Sequence, residues 1–378
     1  MDFTYDDEQN ALREAVRALL GKAYSDYENR RRTVATDLGY DPQLWSRLAE
    51  MGILGLPFAE ADGGTGAGPI EVGLIAQELG RVLAPEPFLT AVVLAGGLIA
   101  DAGSAEERAE LLDPLSAGSL VPAFAHAEPG TRWASSATGV RASRDGDGWR
   151  LSGVKEPVPH GASADLLVVS AATDAGTGLF LVDAAAGGLQ RDGFAAPDGS
   201  RAARISFDGT PATVLGEGGD ATAVIAAALD RARVVAGNQA VGVMESALRI
   251  TSEYLTSRKQ FGVTLNHFQA LTFRAADMYV AVELTRSMVD WATMVLAEQP
   301  DGIAEAAARA GLQVARAGRM VGQSAIQLHG GIGMTAEYAI GAHAATLTAL
   351  EQAHGMADHH LARLAGTVGE HAEVDPLG

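Results

Sequence analysis

The sequence predicts an α+β chain in three parts: a helical domain over residues 1–118, a middle β-barrel or β-sandwich over 119–215, and a C-terminal four-helix bundle over 216–378. Two observations lead there. Hydrophobic residues recur at helical spacing up to about Ser116, change to short alternating runs broken by turn residues, and return to helical spacing from Asp220. After that return the chain reads as three long amphipathic segments and a shorter fourth, lengths that suit a bundle.

The elements follow in order. Asp6-Asp7-Glu8 places acids ahead of Leu12, Val16, Leu19 and Leu20, a helix start with favourable dipole charge. Pro42-Gln43-Leu44-Trp45 opens a second helix that Gly52 closes. The run Gly63-Gly64-Thr65-Gly66-Ala67-Gly68 reads as a connection, because no Lys-Ser or Lys-Thr follows it as a phosphate loop requires. Helices are expected over 71–82, 87–102 and 106–112, then strands over 121–127, 148–154, 166–171, 179–182 and 203–207, with a hairpin turn at Asp145-Gly146-Asp147-Gly148. The bundle helices are expected over 221–255, 268–298, 303–327 and 338–353, with a loose tail after Gly366.

Two stretches of the bundle carry chemistry. Arg258-Lys259-Gln260-Phe261-Gly262 lies between two helical patterns, with Gln269 shortly after it. Basic residues at a helix end are also ordinary dipole partners. That reading leaves Phe261 and Gln269 without a purpose, whereas an arginine, a flat aromatic and an amide together suit a ligand with a phosphate and a planar ring. Downstream, Gln327-Leu328-His329-Gly330-Gly331-Ile332-Gly333 pairs an amide with glycines, either a helix cap and turn or a backbone that a phosphate can approach closely.

Together these motifs resemble the flavin-dependent acyl-CoA dehydrogenase family, with its R-x-x-F-G turn, following Gln, and Q-x-x-G-G-x-G signature. The resemblance covers essentially the whole chain and agrees with the helix–β–helix order. It implies FAD as cofactor, held through Arg258, Gln260, Phe261, Gln269, Gln327, Gly330 and Gly331, often across a subunit interface. It also implies α,β-dehydrogenation of an acyl-CoA thioester, with a carboxylate as base.

The pattern breaks at the reacting end. The family's Y-E-G-T base motif falls on Ala353-His354-Gly355-Met356, so His354 replaces the glutamate, and Glu351 stands three residues earlier. His354 is a candidate base by its near-neutral pKa, or simply a surface histidine in a His-rich tail with His343, His359, His360 and His371. A less common base position, early in the helix before the R-x-x-F-G turn, holds Ala232. Nearby Arg233 matches a family arginine near the catalytic floor and is a substrate-binding candidate; otherwise it is a buried arginine paired with Glu245 or Asp277. Arg231, two residues away, cannot share its helix face.

On the β-domain side, the family's T-E-P-x-x-G-S-D becomes Ala127-Glu128-Pro129-Gly130-Thr131-Arg132 without the Ser-Asp pair. Glu128 there reads as a loop carboxylate capping a turn. The Lys-then-W-I-T pattern becomes Lys155-Glu156-Pro157-Val158-Pro159, where prolines offer no backbone donor to a flavin. Groups for the cofactor tail are kept and groups for its ring are lost. This sorting resembles the small, pimeloyl-CoA-dehydrogenase-type subunits, which join a homologous acyl-CoA dehydrogenase subunit in α2β2 heterotetramers, some acting on steroid side chains. The alternatives are a complete homo-oligomeric enzyme using His354 or Glu351, and an assembly protein binding no flavin.

Composition removes other classes. With 47 acidic against 28 basic residues and a formal charge of −19, the chain lacks the basic surface a nucleic-acid binder needs. It has no cysteine, so thiolate metal sites and cysteine nucleophiles are excluded. Adjacent His359 and His360 diverge on a helix, and no metal site is expected. No apolar run is long enough to span a bilayer, and the acidic N-terminus is unlike a signal peptide, so a cytoplasmic location is expected.

Overall fold

Asp6 opens the first helix with a reciprocal cap: Gln9 N donates to its carboxylate at 2.8 Å and Asp6 N donates to the Gln9 side chain at 3.1 Å. The computed structural model describes residues 4–146 and 148–370. Asp147, in the expected hairpin turn, and His371, in the expected loose tail, lie outside the described residues.

The N-terminal helices are α1 (Asp7–Ala23), α2 (Tyr27–Val34), α3 (Pro42–Glu50), α4 (Pro69–Arg81), a π-helix (Phe88–Gly96) that continues as α5 (Gly97–Ala102), and α6 (Ala105–Ser116). The helix expected over 87–102 thus changes its winding midway. α2 had no apolar period to announce it, half of it being charged; Asp26 caps it and Arg30 pins it, donating to Leu83 O at 2.7 Å. These helices bury a core that includes Val16, Leu20, Trp45, Phe58 and Phe88.

The middle strands are β1 (Pro122–Ala125), β2 (Arg141–Asp145), β3 (Gly148–Pro159), β4 (Leu166–Thr173), β5 (Gly176–Asp183), β6 (Leu189–Ala195) and β7 (Arg201–Val214). Strand β5 pairs with both β4 and β7, so β4-β2-β3-β7-β5 closes into a small barrel with β1 and β6 alongside. Leu167 and Val169 of β4 fill the barrel core, while Val168 between them packs into the helical core. Both strand faces are buried. The two prolines of β3 flank Val158, and the β3–β7 register shifts between Lys155 and Val158. An irregularity is where a sheet tolerates proline.

The bundle comprises α7 (Thr222–Ser257), α8 (Gln269–Glu298), α9 (Ile303–His329) and α10 (Ile340–His354), followed by α11 (Ala357–Thr367) and a 3-10 turn (Val368–Glu370). Helix therefore passes Gly366, where a loose tail was expected. The connection before α8 contains a further two-stranded ribbon, β8 (Lys259–Gln260) and β9 (Val263–Thr264), beyond the simple turn expected. Helix α4 locks onto α7 through glycines. A Cβ on Gly80 would stand 2.0 Å from Gln239 O, and one on Gly242 would stand 1.9 Å from Gln77 O. Two backbones touch there, and no side chain fits.

Candidate functional site

The bundle brings its two motifs to one end. Arg258 closes α7 as its C-cap. The ribbon that follows turns at Phe261 (φ 53°) and Gly262 (φ 83°), both left-handed, as a two-residue hairpin of matching twist requires. For a bulky residue this is a strained conformation. Phe261 is nonetheless 92% exposed, with the edge of Phe268 at 6.1 Å between ring centroids. Gln269 then starts α8.

On the facing side α9 ends at His329, whose ring stacks on Tyr254 of α7 at 4.5 Å, with Tyr338 packed against both. This aromatic cluster joins Arg258, one turn beyond Tyr254, to Gly330-Gly331, which directly follow His329. Sequence reasoning missed the cluster, whose signal is three ring residues near three separate helix ends.

Every residue expected at this end is exposed: Arg258, Gln260, Phe261, Gln269, Gln327, Gly330 and Gly331. Arg258 has no ion pair among the described residues. Gly330 (φ 63°, ψ −139°) holds a glycine-only conformation, and a Cβ at Gly330 or Gly331 would meet nothing within 4 Å. An unpaired guanidinium, a bare aromatic, amides and glycines with open space beside them fit the phosphate-bearing end of a dinucleotide.

The corner where α10 meets α11 is built in the opposite way. Arg233 is buried: Nε donates to His354 O at 2.9 Å, and it pairs with Asp230 at 2.6 Å. Arg363 donates to both oxygens of the same Asp230. The expected pairing of Arg233 with Glu245 or Asp277 is corrected. Glu245 bonds Arg286 and Gln77 instead, because α7 carries it on another face. Arg231 indeed faces elsewhere and pairs with Asp101.

His354 ends α10 and is part-buried, not a surface histidine of a tail. Burial first, then the charges of Arg233 and His360, push it down to about 3. His359 and His360 are each held at about 4, chiefly by burial and then by Arg233. Glu351 is buried and ion-paired with Arg319 at 3.0 Å. Ala232 is wholly buried in the core. No group of three or more His, Asp or Glu able to hold a metal occurs among the described residues.

Between barrel and bundle lies a loop clasped by Glu128. This carboxylate, 4% exposed, accepts from the backbone N–H of Thr138, Gly139 and Val140 at 2.7–2.9 Å, and from Lys155 Nζ at 2.7 Å. Burial would raise its pKa, but Lys155 and the backbone donors outweigh burial and hold it at about 2. Lys155, fully buried, also donates to His126 O and Ser170 Oγ, and burial pulls it to about 8. His126 Nε2 lies 2.6 Å from Ala134 O and so must donate to it, leaving Nδ1 to accept from Ser170 Oγ. The turn-capping role expected of Glu128 is thus the neck of a loop over 129–137.

That loop carries Trp133 (φ 57°), which donates through Nε1 to Gln352 O at 2.8 Å and lies 5.0 Å from the His359 ring. Counted from Glu128-Pro129, Trp133 stands where the T-E-P-x-x-G-S-D pattern has its serine. With Pro157 and Pro159 offering no N–H, this side does not fit a flavin ring as the family pattern would hold it.

Comparison with known proteins agrees with the architecture. Residues 6–119 match the family model described as acyl-CoA dehydrogenase, N-terminal domain, and residues 219–368 match acyl-CoA dehydrogenase, C-terminal domain. Among curated proteins, acyl-CoA dehydrogenase FadE27 of Mycobacterium tuberculosis is 29% identical, covering 98% of this chain and 99% of that one. Among solved structures, a variant of the Tcur3481–Tcur3483 steroid ACAD is 34% identical with a TM-score of 0.87, covering 96% of this chain and 98% of that one. The ChsE4–ChsE5 complex of M. tuberculosis is 28% identical with a TM-score of 0.89, covering 99% and 100%.

Proposed function

The chain belongs to the acyl-CoA dehydrogenase family, and from that premise we propose that it is the non-base subunit of an α2β2 dehydrogenase, completing the FAD site of a homologous partner. FAD is the cofactor of the family; bound, it supplies the hydride acceptor for α,β-desaturation of an acyl-CoA thioester. The observation that carries the proposal is the contrast between an exposed, unpaired Arg258 and a corner whose charged groups already satisfy one another.

Neither base candidate suits proton abstraction. A base must hold the proton it takes. Burial and neighbouring cations oppose a charged His354, and Glu351 is committed to Arg319. We assign Arg233 to positioning the end of α10 through His354 O, and not to contact with the thioester. Two of the similar structures are named as pairs of chains, one of them a steroid ACAD. This supports a paired assembly and makes a steroid side-chain thioester the first substrate to try.

The test is expression of the chain alone and with a homologous subunit. Alone, it is expected to retain little flavin and to desaturate no acyl-CoA; together, the complex is expected to be yellow and active. Desaturation by the lone chain would overturn the proposal.

A further inference from the structure

Helix α8 is apolar on two sides. Its inner side packs against α7 and α9 and places Met278, Val282 and Val289 in the bundle core, each 1% exposed or less. Its outer side carries Phe273, Val280 and Leu284 at spacings of seven and four residues, which sets them in one line along the helix. They are 64%, 53% and 59% exposed, and Tyr279 beside them is exposed as well. Helix α9 keeps the ordinary one-sided pattern, whereas α8 does not. The line is about 16 Å long, three turns of helix. Large apolar side chains that line up in water mark a surface for another molecule to cover.

We infer that the outer side of α8 is where the homologous subunit docks, with an apolar helix of its own laid along Phe273, Val280 and Leu284. The inference rests on the reading that this chain completes a partner's FAD site, and it names what holds the two chains together. Two observations choose the occupant. The line is continuous with the Arg258 end: Phe273 stands one turn after Gln269, and exposed Phe261 and Val263 lie in the ribbon just before the helix. A subunit whose cofactor reaches Arg258 therefore already stands beside α8. A second copy of this chain is disfavoured, because each copy brings a formal charge of −19. Arg274 and Asp277 flank the line without an ion pair among the described residues, so one charge of each sign is left for the partner to answer.

The test is association of the full-length chain with a homologous acyl-CoA dehydrogenase subunit that keeps the family's base glutamate, followed by sedimentation so that mass and not turnover is read. Val280→Glu and Leu284→Glu each put a charge where the partner's apolar helix would lie, and each should weaken association at least tenfold. Val280→Ala combined with Leu284→Ala removes bulk without adding charge and should give a smaller loss. These side chains are exposed in the lone chain, so its unfolding midpoint should hold in all three variants, and lost association is then not lost folding. Glu110→Lys, a charge change at an exposed site on α6, should leave association unchanged. Wild-type association in both glutamate variants would overturn the inference. So would a homodimer of the lone chain that the same variants dissolve, which makes a second copy the occupant, and so would a wild-type chain that binds no such subunit. Desaturation by the lone chain, with partner binding still lost in Val280→Glu, would instead sink the partner-completing role and leave the docking surface standing.

Discussion

Two ends of the same bundle use similar residues to opposite effect. At the α7–α8 hairpin, the Arg258 guanidinium, Phe261 and the glycines after α9 face outward, with open space beside Gly330 and Gly331. At the α10–α11 corner, Arg233, Arg363, Asp230 and Glu351 are consumed by internal pairs, and Trp133 lies across the top. An arginine is therefore not evidence of a ligand site until its partners are counted. On the proposed reading the free one belongs to a site that a partner completes, whereas the buried one holds a joint.

The largest expected effect comes from breaking the clasp that sets the closed end. Lys155→Met leaves Glu128 buried and unpaired, and should cost about 3–5 kcal/mol, read as a fall in the urea midpoint. Acid should act on that end and on buried histidines beyond it. His126, His160, His343, His359 and His360 are held at about 4 and His354 at about 3, mainly by burial. The unfolded chain thus takes up protons that the folded chain refuses. Stability is full above pH 6.5 and should drop as pH falls through about 4, which equilibrium unfolding across that range will show. A flat profile would mean these rings are solvated.

The open end should respond in binding and not in folding. Arg258→Ala should weaken flavin retention by the assembled complex roughly 10- to 100-fold, the worth of a charge-assisted phosphate contact, with little change in unfolding midpoint. Phe261→Gly should stabilise the isolated chain by about 1 kcal/mol through relief of its left-handed backbone, while weakening the complex. The smallest effect is expected from His354→Gln: turnover of the complex should change less than about twofold if the side chain moves no proton. A drop of several orders of magnitude would return His354 to the role of base.

The architecture was legible because its signal is periodic. The switch from helical to alternating spacing near Ser116 and back near Asp220 separates the parts, and the three long helices match their expected spans within about two residues. Elements without a hydrophobic stripe were not legible: α2 is half charged, and β6 is a largely exposed strand at the side of the barrel. The hairpin at Phe261 hid because a phenylalanine is not what a left-handed turn position advertises. The motifs name candidate site residues, but whether each is free or already paired is not written in them. Whether Arg233 faces a ligand or His354 O, and whether Trp133 faces solvent or Gln352, depends on contacts 121 and 219 residues apart in sequence.

Phe261 has one more consequence. A residue in a disfavoured backbone well, with its ring in water, raises the free energy of the solitary chain, and on the proposed pairing a partner covers that ring. Mass action then ties the population of relaxed molecules to protein concentration. Under dilution the chain is at its least comfortable, so its behaviour in a dilute assay and in a crowded mixture with its counterpart should differ even before any reaction is measured.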